Sequence, residues 1–278
     1  MLGSFLIFAR EGIEGTLICA ILLAFLGASG RRDLFRWVLG GAGAAVGLAA
    51  VIGVVLWIVS RDAFVGSTAQ AWFEAVVFLV AVAVLTYMTF WMRRHSRTIG
   101  RELRQRADGA VRGGSGLALA LIAFFTVGRE AVETVIFLIA IAYQSSPMQL
   151  GIGAVLGLGV ALGCAVAMYK LGVRVNIARF FLVVGSMLMV VAAGLLANAV
   201  QNLQHLGVLP GSRTLWDTSG VLPDTSGVGD VLHGLVGYSA APTLLQGAVW
   251  LLFLALGLAL FLRPQRQPPR RPLTPAVQ

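Results

Sequence analysis

Residues 1–28 read MLGSFLIFAREGIEGTLICAILLAFLGA, an apolar run that Arg10, Glu11 and Glu14 interrupt. A helix needs about 20 mainly apolar residues to cross the hydrocarbon core of a membrane. This segment is long enough, and it does not begin with the basic residues typical of a cleaved signal peptide. We therefore expect a permanent first membrane span with charged residues inside the membrane.

Further apolar stretches follow along the chain of 278 residues, of which 58% are hydrophobic and 12% are charged. Soluble domains usually contain about a quarter charged residues, so this composition excludes most soluble architectures. The sequence predicts an all-α polytopic membrane protein with seven transmembrane helices. The predicted spans are 2–28, 37–60, 69–92, 117–142, 149–172, 178–204 and 243–262.

The distribution of basic residues predicts how these helices are oriented. Lys and Arg outnumber Asp and Glu by 21 to 12, and seventeen of these basic residues fall on the same side of the predicted membrane. The connections on the other side contain only Arg61 and Arg213. Since basic loops stay in the cytoplasm, we expect the N-terminus outside and the C-terminus in the cytoplasm. The positive charge then indicates topology and contact with membrane lipid, and no nucleic-acid partner is expected.

The chain contains an internal repeat. Arg10-Glu11-Gly12-Ile13-Glu14 in span one and Arg129-Glu130-Ala131-Val132-Glu133 in span four both read R-E-x-x-E, and three crossings between them reverse their direction. Spans two and five are rich in small residues that let helices approach closely, including Gly43-x-x-x-Gly47, Gly153-x-x-x-Gly157 and Gly159-x-x-x-Gly163. We therefore predict a 3+3 inverted-topology repeat plus a seventh helix, a common plan in transporters.

This organisation divides residues 1–262 into five parts of one transmembrane domain. The tail 263–278 contains five prolines and four arginines, and it is predicted to be a disordered basic cytoplasmic segment. The five parts are repeat one at 1–92, a basic cytoplasmic loop at 93–116, repeat two at 117–204, an external loop at 205–242 and the seventh helix at 243–262.

Helical spacing indicates what the repeated motif does. Residues three and four apart share a face, so Glu11 lies beside Glu14, and Arg10 can reach Glu14. If spans one and four pack together, four carboxylates and two guanidinium groups meet within the membrane. Two arginines neutralise at most two of these acids, and a charge at the bilayer centre costs about 2.5–3.5 kcal/mol even on lenient scales. Structural ion pairs alone therefore explain the motifs less well than a bound cation or protonation does.

Carboxylate oxygens are hard ligands, and neither His nor Cys belongs to the motifs. The ligand set favours ferric iron, manganese, magnesium or calcium over copper(I) or zinc. A di-iron carboxylate enzyme would need Glu-x-x-His pairs on two helices, and the sequence has none. We expect a transporter without catalytic residues or a prosthetic group, and ligand chemistry alone leaves the ion open.

Other acids lie toward the predicted outer side. Glu74 follows the start of span three, and it is either an outer metal ligand where ions enter or a solvated interfacial acid. Asp217 lies in the external loop with Asp224, Asp230 and His233. These residues could capture metal or dock a partner, although turn and capping roles are the more common use of loop acids.

The two R-E-x-x-E motifs, residues 86–94 (TYMTFWMRR) and Leu215-Trp216-Asp217 resemble the oxidase-dependent iron permease family of bacteria and fungi. The resemblance extends over nearly the whole chain and implies iron uptake across the plasma membrane, the inner membrane of a bacterium. It implies an iron ion as the transported substrate and an iron oxidase or peroxidase outside the membrane as partner. The residues it implies are the iron ligands Glu11, Glu14, Glu130 and Glu133, supported by Arg10 and Arg129.

Two other functions fit the same residues. One is proton-coupled transport of another hard divalent metal such as manganese. The other is a membrane oxidoreductase or structural subunit that binds metal without moving it. The sequence leaves open whether iron crosses as the ferrous or the ferric ion, and which gradient drives it.

Overall fold

The structure, a computed structural model, describes residues 1–64, 68–95, 99–143, 146–171, 177–211, 213–223 and 227–263. The prediction of an all-α protein is confirmed for these residues, which also include a short 3-10 helix, Arg32–Leu34. The α-helices of the described chain are α1 Leu2–Ala28, α2 Phe35–Phe64, α3 Thr68–His95, α4 Ile99–Arg112, α5 Gly116–Ala142, α6 Pro147–Leu171, α7 Ile177–His205, α8 Gly227–Val236 and α9 Leu244–Leu262.

The local sequence explains where several helices begin and end. After α1, Gly30 has a φ of 71°, in the left-handed region that favours glycine. α5 begins at Ser115, whose hydroxyl accepts a hydrogen bond from the backbone N–H of Ala118 at 3.1 Å. α9 begins with a capping box formed by Thr243 and Gln246. These polar signals separate helices that are apolar along most of their length.

Within the described residues, six helical segments are long and apolar enough to cross a membrane. They are Leu2–Ala28, Arg32–Ile58, Thr68–His95, Pro147–Ala167, Arg179–His205 and Leu244–Leu262. The fourth predicted span corresponds to α5, which has 27 residues and carries the three charges of the second motif near the middle of the helix. Large apolar side chains lie exposed on α2, α6 and α9, among them Val51, Val155 and Leu252. The chain is therefore a polytopic membrane protein with apolar outer faces suited to lipid.

Two helices lie where the sequence analysis predicts only loops. α4 occupies the middle of the connection 93–116, and α8 lies in the connection 205–242. α4 buries Leu103 and Ala107 and exposes most of its charged side chains. Its polar composition hides it from a search for apolar spans, although the four-residue spacing of its buried residues is a helical signal. Of the predicted disordered tail, only Arg263 belongs to the described residues.

The long helices before α4 pack against long helices that follow it. α1 packs along α6, α2 packs along α5, and α3 packs along α7, which also contacts α9. Gly157 permits the close contact of α6 with α1, because a Cβ atom there would lie 2.6 Å from the carbonyl oxygen of Phe5 and 2.8 Å from the backbone nitrogen of Ala9. The prediction that small residues allow close helix packing is confirmed for this glycine.

Other glycines of the predicted packing motifs do not have this role. A Cβ atom built on Gly43, Gly47, Gly159 or Gly163 would meet nothing within 4 Å in the described part of the chain. The prediction is therefore wrong for these four positions. Gly41 makes the tight contact of α2 instead, against the backbone of α5. The spacing of glycines predicts that a helix can be approached closely, but the direction each glycine faces depends on tertiary packing.

Two apolar clusters enclose the level of the charged motifs. The α7 cluster is centred on α7 and contains Ile7 of α1 and Phe137 of α5. The α4 cluster contacts α4 and contains Ile18 of α1 and Val127 of α5. The first motif follows Ile7 and precedes Ile18, and the second motif follows Val127 and precedes Phe137. The charged residues therefore form a polar layer between two apolar layers.

Candidate metal-binding site

The first motif lies on α1 and is fully enclosed by protein. Arg10, Glu11 and Glu14 are 1%, 4% and 2% exposed. Nη1 of Arg10 donates to Oε1 of Glu11 at 2.7 Å, and Nε of Arg10 lies 3.2 Å from Oε1 of Glu14. The guanidinium fork of Arg10 therefore spans the carboxylates of both glutamates, beyond the contact with Glu14 that the helical spacing predicts. The single positive charge of the Arg10 guanidinium is shared between two buried carboxylates.

The second motif lies on α5 and is more open. Nε of Arg129 donates to Oε1 of Glu133 at 3.0 Å, which confirms the contact expected from the four-residue spacing. Nη2 of Arg129 donates to Sδ of Met88, and its Cζ lies 4.4 Å from the centre of the Trp91 ring. The Arg129 side chain is 39% exposed. Met88 and Trp91, which the sequence analysis does not assign to the site, show that α3 helps to hold the arginine of α5.

The two motifs meet where α1 packs against α5. One carboxylate oxygen from each of Glu11, Glu14 and Glu130 lies within 4.8 Å of the other two. These three residues are here called the carboxylate cluster. Each of them has an enclosed oxygen that accepts no hydrogen bond within the described chain, namely Glu11 Oε2, Glu14 Oε2 and Glu130 Oε2.

Glu133 lies beside the carboxylate cluster rather than within the group of three converging oxygens. Its Oε1 is held by Arg129, while its Oε2 also accepts no hydrogen bond from the described residues. The two motifs predict that their four glutamates form one cage. The structure brings three of them together and places the fourth one turn along α5, within reach of the same layer.

The cluster has the chemistry of a cation site. The three carboxylates together with the enclosed guanidinium of Arg10, which pairs with two of them, have a formal charge of −2 if all the groups are ionised. Buried charge without compensation is costly, and buried oxygens without hydrogen bonds add to that cost. A hard cation satisfies both demands at once because its ligands are oxygens. The residues present therefore fit a bound metal ion as cargo.

Two cavities reach this layer. The larger, about 490 Å³ in volume, lies against α3 and α5 and is lined in part by Tyr87, Trp91, Arg129 and Glu133. The smaller, about 190 Å³, extends to α4. Its lining includes Glu14, Trp91, Glu102, Arg106, Arg129 and Glu130. The second motif borders both cavities, whereas only Glu14 of the first motif borders either of them.

Glu74 lies on α3 among polar side chains outside the carboxylate cluster. Its Oε1 accepts a hydrogen bond from Gln70 at 2.8 Å, and its Oε2 accepts one from Asn202 of α7 at 3.2 Å. One turn before Asn202, Asn198 is 4% exposed, and neither of its amide atoms has a hydrogen-bond partner in the described residues. Polar groups thus extend from Glu74 along α7 into the apolar interior.

Asp217 is exposed in the loop before α8, and the structure does not join it to Glu74. The backbone N–H of Ser219 donates to Asp217 at 3.0 Å and the Ser219 hydroxyl also donates, so these bonds lower the pKa of the Asp217 carboxyl. Nδ1 of His233 lies 2.6 Å from the carbonyl oxygen of Tyr238, a contact within the loop. Asp224 and the side chain of Asp230 lie outside the described residues.

A polytopic helical protein with clustered carboxylates inside the membrane has the architecture of an ion transporter. Residues 1–264 match the Iron permease FTR1 family. The chain is 34% identical over 267 residues to "Ferrous iron permease EfeU" of Escherichia coli O157:H7, covering 94% of this chain and 95% of that protein. It is 35% identical over 265 residues to the protein of the same name in Yersinia pestis, covering 94% and 93%. No solved structure matches the chain.

The chain therefore belongs to the iron permease FTR1 family. This membership confirms the resemblance drawn from the two R-E-x-x-E motifs. It also confirms a transporter rather than an enzyme, located as a multi-pass protein in the bacterial inner membrane.

Proposed function

We propose that this chain imports iron through the membrane by way of the carboxylate cluster. The observation that carries the proposal is the convergence of Glu11, Glu14 and Glu130, each with an unsatisfied enclosed oxygen. Ferric iron is a hard cation that such oxygens bind, ferrous iron also takes carboxylate ligands, and the curated relatives are named as ferrous iron permeases. Arg10 positions the two acids of α1 and limits the negative charge of the site before iron binds.

The proposed transport domain has seven spans, with α5 as the fourth. In an inverted repeat, α1, α2 and α3 correspond to α5, α6 and α7. The helix contacts support this correspondence, since α1 packs on α6 as α5 packs on α2, and α3 packs on its counterpart α7. In this arrangement the N-terminus is outside and the C-terminus is in the cytoplasm. The two motifs then lie on α1 and α5, the first helix of each half. The cluster lies where these halves meet, which is where alternating access requires the substrate site.

Iron reaches the cluster from outside by way of Glu74 in this mechanism. Glu74 and the amides of Asn202 and Asn198 offer oxygen ligands along one side of α7. Asp217 attracts cations at the exposed loop as an ionised carboxylate. Glu133 completes the ligand set as the fourth carboxylate when Arg129 releases it. An external oxidase or peroxidase that handles ferrous iron is the proposed partner at this face.

The test is iron uptake by the full-length protein in proteoliposomes, together with iron binding in detergent. We expect Glu11→Gln, Glu14→Gln and Glu130→Gln each to abolish uptake and to weaken iron binding by at least about tenfold, because each removes a charged ligand. Asp33→Asn is the matched control, since Asp33 forms a largely exposed ion pair with Arg31 and lies outside the site.

Wild-type rates of uptake in all three folded variants would refute the proposed cluster. Iron held as the ferrous or the ferric ion in separate reactions identifies the translocated species. Competition by manganese or calcium that equals unlabelled iron would instead indicate a general carrier of hard divalent metals. Iron that binds to the wild-type protein without entering the vesicles would argue against transport altogether.

A further inference from the structure

The helix α4 covers one end of the carboxylate cluster. Leu103 is 4% exposed and Ala107 is fully buried, and both belong to the α4 cluster with residues of α1 and α5. Glu102 and Arg106 lie on the same helix and line the cavity of about 190 Å³. α4 is therefore anchored by its apolar side, while two residues of its exposed, charged side border the cavity that Glu14 and Glu130 also line.

This cavity continues from the site already described. Glu14 and Glu130 line it together with Glu102, so three carboxylates from three helices border one small space. Glu14 is 2% exposed and Glu130 is 7% exposed, and Oε2 of each accepts no hydrogen bond from the described residues. Enclosed oxygens that lack partners and line a cavity are what a cation moving through that cavity would meet.

We propose that Glu102 is a further metal-binding residue, which receives the ion from Glu14 and Glu130 on its way to the cytoplasm. The inference rests on the proposed function, in which α4 belongs to the cytoplasmic connection. Each transfer exchanges carboxylate oxygens around the same cation, so no bond other than metal coordination forms or breaks.

Arg106 and Arg129 oppose the movement of a cation through this cavity. Both guanidinium groups line the same cavity, where they repel a cation that moves beyond the carboxylates. Glu102 lowers the barrier for the metal ion, because it offers a carboxylate ligand at the point where the positive charges oppose the ion.

A matched pair of substitutions on α4 tests this role. Glu102→Gln removes the charged ligand from the cavity, whereas Asp108→Asn removes a carboxylate that is paired with Arg112 at 2.7 Å and does not line the cavity. In proteoliposomes we expect Glu102→Gln to slow initial iron uptake by about tenfold, and Asp108→Asn to match the wild type. Uptake by Glu102→Gln within twofold of the wild type would overturn the proposal.

A second measurement does not depend on transport. Tb³⁺ is a hard, oxygen-binding cation whose emission is excited through nearby tryptophan, and Trp91 lines the cavity. Titration of the full chain in detergent should show Tb³⁺ binding weakened about fivefold or more in Glu102→Gln but unchanged in Asp108→Asn. Equal affinity in both variants would exclude Glu102 as a ligand. If the proposed function itself is wrong, the wild-type protein will not take up iron. That result is distinct from any difference between the two variants.

Discussion

The two R-E-x-x-E motifs have the same spacing but different surroundings. On α1, Arg10 is 1% exposed and binds both glutamates of its motif. On α5, the Arg129 side chain is 39% exposed, binds Glu133, and borders both cavities. Glu130 is left to face the acids of the other motif. The arginine of one motif is thus enclosed and shared by both of its acids, while the other motif is open to what enters the cavities.

The difference follows from the partners of the two helices. α1 lies against α6, where Gly157 allows backbone contact and closes the space around the first motif. α5 packs along α2, but its second motif faces α3 through Met88 and Trp91. We infer that α1 holds a fixed half of the site and that α5 supplies the half that exchanges with water and ions.

The largest expected difference concerns the two arginines. Arg10→Met should destabilise the protein by about 3–5 kcal/mol, because it leaves two enclosed carboxylates without their cation. Arg129→Met should cost only about 1 kcal/mol, since water reaches the site of the lost charge. Thermal unfolding of both variants in the same detergent measures the contrast.

A variant that lacks every charge of the first motif distinguishes the electrostatic contribution to stability from the contribution of packing. Replacing Arg10 by Met together with Glu11→Gln and Glu14→Gln should restore most of the stability, because neither acid of α1 then remains as an uncompensated charge. Equal destabilisation by the two single arginine substitutions would show that the motifs are equivalent, contrary to our comparison.

A smaller effect is expected from the contact that encloses the first motif. Gly157→Ala places a methyl group against the backbone of Phe5 and Ala9, so we expect a loss of about 1–3 kcal/mol. Gly159→Ala is the control on the same helix, since its Cβ would meet nothing within 4 Å in the described chain. The fraction of folded protein after heating in detergent is the measurement. If the two variants behave alike, close packing against α6 does not enclose the site.

The sequence predicts which helices and residues form this site better than it predicts how their side chains are arranged. Long apolar runs and the repeated motif are local signals, so the main spans and the candidate ligands follow from them directly. The sharing of Arg10 by Glu11 and Glu14 does not follow, because it depends on side-chain rotamers in an enclosed space. The asymmetry between the motifs depends on α6 and α3, which are distant in sequence from the helices they contact.

The missed helix α4 illustrates a second limit. Its composition is polar, so a search for membrane spans passes over it, and helical spacing at Leu103 and Ala107 covers only one turn. Its position against the site depends on contacts with Ile18 and Val127 in the α4 cluster. Tertiary packing therefore gives Glu102 and Arg106 a place beside the carboxylates that their sequence positions do not predict.

The smallest expected effect concerns how α3 holds the open motif. If the Trp91 ring stabilises Arg129, Trp91→Leu should cost about 0.5–1 kcal/mol beyond its loss of apolar contact. A double-mutant cycle with Arg129→Gln isolates that coupling, because the packing loss of Trp91→Leu is common to both backgrounds. Trp91→Phe keeps an aromatic face and should retain much of the coupling. Thermal unfolding in detergent gives the four stabilities, and a coupling near zero would mean that Arg129 is held by Glu133 and Met88 without the ring. Arg129 would then depend on Glu133 of its own helix and on Met88 of α3, whereas Arg10 depends on the glutamates of its own helix, so α3 would contribute one contact to the contrast between the motifs instead of two.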